Sequence, residues 1–203
     1  LAPWRAAGAA GFGLGGALYT PGMTAEQVAK VEALVNAEIL AKYGTAEQKA
    51  RYLQPLLDGE ISSCYSMTEP LAGADPTLFT TRAVLDGDHW VINGEKWFSS
   101  NARYASFLLV MAVTDDGPDR HHTMSMFIVP ADTPGVEIIR DAGVGTEDAG
   151  RSSHAYLRYR DVRVPADMLV GEENGGWKLI TTQLNHERVG LGPAGRVAGI
   201  YEQ

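Results

Sequence analysis

Two stretches decide how this chain folds: CYSMTEP at residues 64–70 and INGEKWFSSN at residues 92–101. The first is typical of a strand that runs into a turn, and the second of a hairpin turn followed by aromatic residues and hydroxyls. A planar ligand with a polar rim needs an apolar face and fixed hydrogen-bonding groups at its edge. Phe98 can supply the face, and Thr68 and Ser100 can supply the edge. The alternative is that the aromatic residues are sheet core and the hydroxyls are surface residues.

Composition narrows the class of protein. The 203 residues allow one large or two small domains, and 45% hydrophobic residues are enough for a buried core. The net charge of −8 argues against nucleic acid or anionic membrane as a partner. Cys64 is the only cysteine, which excludes a disulfide framework and favours a reducing compartment. No uncharged stretch is long enough to span a bilayer.

The two ends of the chain carry helical patterns. The tetrapeptide TAEQ occurs at residues 24–27 and 45–48, and each copy fits a capping box that starts a helix. Gly44 is expected to end the first helix in the left-handed conformation, and Pro55 to break the second. The predicted apolar stripe of the second helix consists of Ala50, Leu53 and Leu57. The chain begins without an initiator Met or a signal-peptide pattern and ends within a helical pattern, so we expect a piece of a longer protein.

Strand patterns fill the middle of the chain. Asp86-Gly87 and Asn93-Gly94 each predict a hairpin turn. The predicted strands are residues 80–85, 89–93, 95–100, 107–113, 124–129 and 154–164. Short strands at close spacing indicate a sandwich or barrel. The order predicts an α+β fold with three parts: the end of an N-terminal helical domain (1–61), a middle β-barrel or sandwich domain (62–170) and the start of a C-terminal helical bundle (171–203).

Other motifs carry less information. Residues 11–16 satisfy G-x-G-x-x-G, but no strand precedes them and Pro21-Gly22 follows, so we reject a dinucleotide fingerprint. His121-His122 lack a further ligand at metal-binding spacing, so we expect no metal site. No G-x-S-x-G motif indicates a nucleophilic hydrolase.

The chain resembles the acyl-CoA dehydrogenase family. The segments YSMTEP with AGAD (65–70 and 72–75) and INGEK (92–96) are similar to the two flavin-binding strands of that family. Further matches follow in order at 127–129, 132–136 and 161–165, and the resemblance covers roughly residues 40–203. It implies FAD as the cofactor and the α,β-dehydrogenation of an acyl-CoA thioester, in which a base takes the α proton and flavin N5 takes the β hydrogen as hydride.

The resemblance also implies surroundings and partners. These are an acyl-CoA substrate, an electron-transfer flavoprotein-like acceptor, a homo- or heterotetramer, and a cytoplasmic location, or the mitochondrial matrix in a eukaryote. Neither nucleic acid nor a membrane span is expected. An acyl-CoA oxidase or flavin monooxygenase on the same fold, and a non-catalytic FAD- or CoA-binding partner subunit, remain alternatives.

The resemblance also assigns flavin contacts to the positions of this sequence that match the family's motifs. The implied FAD contacts are Tyr65, Met67, Thr68, Ala74, Phe98, Ser99 and Ser100. Relatives often have Trp in place of Phe98 and Thr in place of Ser100, which preserves a ring face and a hydroxyl. They often have Ser in place of Ala74, which can offer only its backbone.

The base and the substrate contacts lie further along the chain. Glu187 matches the position that a minority of the family uses for the base, one residue before an Arg; otherwise the base lies beyond Gln203. Glu187 would need a pKa raised by an apolar pocket, and the alternative is a surface or ion-paired Glu next to Arg188 on a helix. The implied substrate contacts are Ser152, Asn185 and Arg188.

Overall fold

A computed structural model of the protein describes residues 36–73, 75–142 and 154–181. Helical segments lie towards both ends of this part. Residues 36–43 form α1, residues 46–57 form α2 and residues 176–181 form α3. Segment α2 consists of α-helical Ala46–Gln48, a π-helical turn Lys49–Leu53 and α-helical Gln54–Leu57.

Between α2 and α3 the described chain forms one mixed sheet. The strands are β1 (Ser63–Ser66), β2 (Arg82–Asp86), β3 (His89–Ser100), β4 (Phe107–Val113), β5 (Met124–Pro130), β6 (Val136–Asp141), β7 (His154–Pro165) and β8 (Leu169–Val170). Their order is β6-β7-β3-β2-β4-β5-β8, and β1 also pairs with β4. The pairs β1–β4 and β2–β4 are parallel and the others antiparallel. The predicted α+β fold with a middle β domain is confirmed.

The core centres on β4, in which every residue is buried. Its continuous apolar sequence FLLVMAV suits a strand that is covered on both faces. Tyr52 of α2 packs on Phe107 with ring centroids 5.0 Å apart. Strand β5 is buried except at its last residue and pairs with β4 in regular antiparallel register.

Segment α2 begins with the predicted capping box. The Thr45 hydroxyl accepts from the Gln48 N–H (3.2 Å), and the Gln48 side chain accepts from the Thr45 N–H (3.1 Å). The Gln48 amide also donates to the carbonyls of Asp167 and Leu169, at 2.6 and 2.9 Å. A polar residue therefore faces the core because it connects α2 to the backbone beside β8.

Three local predictions for the helices are wrong. The buried residues of α2 are Gln48, Tyr52 and Leu56, whereas Ala50 and Leu57 of the predicted stripe are exposed. Pro55 does not break α2, because the π-helical turn that precedes it shifts the hydrogen-bond register and leaves proline in the first turn of the next helical piece. Gly44 follows α1 without a positive φ; a Cβ there would lie 2.6 Å from the Leu40 carbonyl oxygen.

Strand β3 corrects another prediction. Asp86-Gly87 does turn β2 into β3, with Gly87 at φ 66°. Asn93-Gly94, however, lies inside a continuous β3. The Asn93 side chain accepts from the Asp161 N–H (2.8 Å) and donates to the Asp161 carboxylate (3.1 Å), and Asp161 has φ 49°. Asn93 is therefore used to hold a bulge in β7, and the hairpin prediction at this position is wrong.

No helix in the described ranges combines the length and the apolar character that crossing a membrane requires.

Gly94 of β3 lies so close to Thr81 that a substitution can test the packing between them. A Cβ there would lie 2.4 Å from the Thr81 hydroxyl oxygen, at φ 149°. Gly94→Ala is expected to lower the free energy of unfolding by about 3 kcal/mol, through overpacking and backbone strain. Gly87→Ala is the control, since it has positive φ but nothing within 4 Å of the added Cβ; we expect about 1 kcal/mol. Urea unfolding measures both, and equal losses would contradict the steric argument.

Candidate functional site

The segment that follows β1 lies beside β3. The Trp97 N–H donates to the Thr68 carbonyl (2.7 Å). The Lys96 ammonium donates to the Met67 carbonyl (2.7 Å) and to a Glu69 carboxylate oxygen (3.0 Å). These bonds place the two stretches quoted from the sequence side by side.

Lys96 and Glu69 form a buried ion pair. Lys96 is 0% exposed and Glu69 is 3% exposed, so water screens neither charge. Glu69 also accepts hydrogen bonds from the N–H and hydroxyl of Thr80, at 2.7 and 2.8 Å, and from the N–H of Thr81, at 2.9 Å. The Lys96 ammonium lies 4.3 Å from the centre of the Phe79 ring. Both charged groups are thus held by several neighbours besides each other.

Burial disfavours the charged form of both side chains, but it decides the direction of the pKa shift only for Lys96. Desolvation lowers the pKa of Lys96 to about 8, although Glu69 acts to raise it. Desolvation alone would raise the pKa of Glu69, but the charge of Lys96 and the hydrogen bonds from Thr80 and Thr81 outweigh it and lower that pKa. Glu69 therefore remains ionised, and the pair fixes the backbone of residues 67–69.

A bulge in β3 separates the side chains that follow Lys96. The register with β7 shifts between Lys96 and Ser99, and Phe98 has φ 56°. The Ser99 hydroxyl lies 3.1 Å from that of Ser66, which in turn lies 2.7 Å from the Tyr159 hydroxyl. Ser99 is fully enclosed in this hydroxyl network.

Phe98 and Ser100 meet at His154. The Ser100 hydroxyl lies 2.8 Å from His154 Nδ1, and the Phe98 ring contacts the His154 ring edge-on with centroids 6.3 Å apart. The predicted ring face and one of the predicted edge hydroxyls are thus neighbours. His154 was missed because the sequence shows it only as one of several dispersed histidines. Its partnership with Ser100 depends on the register of β7.

The other predicted contacts are placed as follows. Tyr65, Met67 and Thr68 are half-buried, and the hydroxyl of Thr68 has no hydrogen-bond partner within the described ranges. Ala74, Ser152, Asn185, Glu187 and Arg188 lie outside the described residues. The assignment of all these residues to cofactor, substrate or catalysis stays a prediction.

An aromatic cluster on β3, β6 and β7 was also missed. The rings of Trp97 and Tyr156 stack with centroids 5.1 Å apart, and the Arg140 guanidinium lies 5.0 Å from the Trp97 ring. Glu95 accepts from the Tyr156 hydroxyl and from Arg158 Nε. The Trp97 indole N–H is buried and meets no acceptor in the described part of the chain. Only the strand pairing brings these residues together.

The described residues do not form a metal site. No group of three or more His, Cys, Asp or Glu side chains among them is placed to hold a metal ion. His122 is used locally, since its Nδ1 lies 2.8 Å from the Asp119 carboxylate.

The Lys96–Glu69 pair predicts a pH-dependent stability. Glu69→Gln leaves Lys96 without a counter-charge and should lower the free energy of unfolding at neutral pH by about 3 kcal/mol. Because the folded-state pKa of Glu69 lies below the ordinary value of 4.5, its stabilisation is present above that pH and is lost as the pH falls through the folded-state pKa. The difference between the unaltered protein and the variant should therefore shrink in urea unfolding from about pH 7 to about pH 3.

The control for this pH series is Glu60→Gln, which removes an exposed carboxylate. We expect a change within about 0.5 kcal/mol throughout. A Glu69→Gln loss that stays constant on acidification would contradict the assigned direction of the Glu69 shift.

Comparison with known proteins gives the family. Residues 64–162 match the family described as "Acyl-CoA dehydrogenase, middle domain". The acyl-CoA dehydrogenase FadE29 of Mycobacterium tuberculosis is 44% identical over 164 residues, which are 81% of this chain and 41% of FadE29.

Two solved structures share the fold. Butyryl-CoA dehydrogenase from Megasphaera elsdenii aligns with a TM-score of 0.70 at 31% identity, over 82% of this chain and 43% of its own. The Tcur3481-Tcur3483 steroid ACAD aligns with a TM-score of 0.68 at 41% identity, over 82% of this chain and 44% of its own. The chain spans less than half the length of each of these relatives. The chain belongs to the acyl-CoA dehydrogenase family, whose middle domain it contains at residues 64–162.

Proposed function

We propose that the protein containing this chain catalyses the FAD-dependent α,β-dehydrogenation of an acyl-CoA thioester. The observation that carries the proposal is the placement of Phe98 and Ser100 around His154, beside the fixed segment that holds Thr68, in a domain of this family. In this proposal residues 62–170 hold the flavin, and the helical parts 1–61 and 171–203 belong to flanking domains.

The residues present fit a flavin ring. Phe98 is half-buried and held at a bulge, so its ring can serve as an apolar face. Thr68 is half-buried and its hydroxyl has no partner in the described ranges, so it can bond to a rim heteroatom. The buried indole N–H of Trp97 likewise lacks an acceptor there. We assign Tyr65, Met67 and the backbone of Ala74 to the same cofactor, together with Ser99 through its main chain.

The remaining roles divide between the flavin and the chain. When bound, FAD accepts the hydride that leaves the β carbon of the thioester. The middle domain orients the ring, and the buried Lys96–Glu69 pair keeps residues 67–69 in place. We assign the α proton to Glu187 and the thioester and CoA contacts to Ser152, Asn185 and Arg188. A base beyond Gln203 is the alternative.

The assembly and the electron acceptor are part of the proposal. We infer a homo- or heterotetramer that passes electrons to an electron-transfer flavoprotein-like acceptor, in the cytoplasm or, in a eukaryote, the mitochondrial matrix. The steroid ACAD that shares 41% identity carries the names of two proteins, Tcur3481 and Tcur3483, which supports a search for a heteromeric partner.

The first test is spectroscopic. The purified full-length protein is expected to show flavin absorption bands that an acyl-CoA bleaches under anaerobic conditions, because the bound flavin takes up the substrate's electrons. A panel of straight-chain, branched and steroid acyl-CoA thioesters identifies the substrate class. A protein that stays colourless when FAD is added would contradict the proposal. Hydrogen peroxide formed in place of reduced acceptor would assign an oxidase.

The second test concerns the base. Glu187→Gln keeps the size of the side chain but removes the proton acceptor, so anaerobic bleaching should slow by about 10²- to 10⁴-fold while FAD stays bound. Stopped-flow absorbance measures the rate. Glu172→Gln, which replaces an exposed carboxylate, is the control and should bleach at the unaltered rate. An unchanged bleaching rate in the Glu187 variant would mean that another residue is the base.

A further inference from the structure

Ser100 and His154 are direct partners across β3 and β7. They face each other in the strand register, and the Ser100 hydroxyl oxygen lies 2.8 Å from His154 Nδ1. Ser100 is only 7% exposed, so water competes little for its hydroxyl. The neighbouring Ser99 hydroxyl is occupied by Ser66 on the other side of the strand. His154 is therefore the side chain in the described ranges that bonds to the Ser100 hydroxyl.

The backbone of His154 is held from two sides. Its pairing with Ser100 ends the β3–β7 ladder, and its carbonyl accepts from the Ala142 N–H at 3.1 Å, just after β6. The Phe98 ring lies nearly perpendicular to its imidazole, at an interplanar angle of 82°. His154 is thus placed by two neighbouring elements, β3 and the residue after β6, and the orientation of its imidazole towards Ser100 is a property of the fold.

The proton on Nδ1 decides what Ser100 can do. A serine hydroxyl has one proton to donate and can accept two hydrogen bonds. If Nδ1 is unprotonated, it accepts that proton and Ser100 has nothing left to donate. If Nδ1 carries a proton, it donates to the hydroxyl oxygen, and the Ser100 proton is free for an acceptor elsewhere.

We propose that His154 is a positioning residue for flavin binding. Its Nδ1–H donates to Ser100 Oγ and thereby directs the Ser100 proton away from β7, towards an acceptor on the rim of a ring that lies against Phe98. This inference rests on the proposed function, since it takes FAD as the ligand. It assigns to His154 no contact with substrate and no proton transfer in the reaction.

Two substitutions at residue 154 separate its chemistry from its volume. His154→Asn retains an N–H donor near the position of Nδ1, whereas His154→Leu removes it. FAD is titrated into the flavin-stripped full-length protein, and affinity is followed by fluorescence. His154→Leu should weaken FAD binding by about five- to tenfold, the value of one hydrogen bond. His154→Asn should restore most of the affinity. A His154→Asn loss as large as that of His154→Leu would overturn the proposal.

A double-mutant cycle tests whether His154 acts through Ser100. Ser100→Ala removes the hydroxyl, so adding His154→Leu to it should cause no further loss of FAD affinity. The flavin absorption bands should shift alike in Ser100→Ala, His154→Leu and the double variant. A full additional loss in the Ser100→Ala background would overturn the proposal, because His154 would then act independently of Ser100.

His89→Leu is the matched control. His89 begins β3 and pairs with Pro165 at the opposite end of the β3–β7 ladder, where it bonds to Asp88. Its replacement should leave FAD affinity unchanged. A loss equal to that of His154→Leu would show that any histidine of this strand pair matters for folding alone, and would overturn the proposal.

The protonated nitrogen can be observed without flavin. Long-range ¹⁵N–¹H correlation spectra of the flavin-stripped protein should show His154 protonated on Nδ1, and an unprotonated Nδ1 would overturn the proposal. Failure of the unaltered protein to bind FAD would overturn the proposed function and this inference with it. Normal FAD binding by both the unaltered protein and His154→Leu would overturn this inference alone.

Discussion

The buried ion pair between Lys96 and Glu69 is the constraint on which the site depends. Removing two charges from water costs several kcal/mol per ion, and mutual attraction offsets this only when the remaining hydrogen-bonding positions are filled. Here Lys96 also binds the Met67 carbonyl, and Glu69 also binds the backbone of residues 80 and 81. A slip of one residue between the segment and β3 would separate the charges inside the core. The pair therefore specifies one register, and that register puts Thr68 beside Trp97.

Two irregularities in the pairing of β3 with β7 turn this register into a site. One lies between Ile92 and Gly94, and the other between Lys96 and Ser99. In a regular strand, adjacent side chains point to opposite faces, so a bulge changes which residues face the core after it. Lys96 lies between the two irregularities and faces inward. Beyond the second one, Ser99 meets the interior hydroxyls while Ser100 meets His154. The positive φ of Phe98 is the local feature that makes this exchange of faces possible.

The sequence predicts features that depend on residues close together in the chain, and it fails where residues far apart in the chain interact. The strands at 107–113, 124–129 and 154–164 were predicted because apolar runs and alternation are local signals of burial. Asn93-Gly94 gave a false hairpin, since Asn93 is engaged by Asp161, which is 68 residues away. The predicted buried face of α2 was wrong because Gln48 is buried, and its side chain donates to carbonyls about 120 residues further along the chain. The residues around the candidate site were recognised by type, but His154 was not, since its role depends on the register of strands that contain bulges.

Two carboxylates of this region, Glu69 and Glu95, are poorly suited to act as the proposed base. Glu69 is buried, and its pKa is lowered by Lys96 and by hydrogen bonds. Glu95 lies on β3, and hydrogen bonds from Tyr156 and Arg158 lower its pKa as well. A general base for a weakly acidic carbon proton needs a raised pKa, because proton transfer is otherwise too unfavourable near neutral pH. Both carboxylates are held in the state that stabilises the sheet, which is the opposite of what catalysis requires. Neither Glu69 nor Glu95 therefore has the raised pKa that a base needs, so the proposed assignment of this role to Glu187, or to a residue beyond Gln203, has no competitor in this pair.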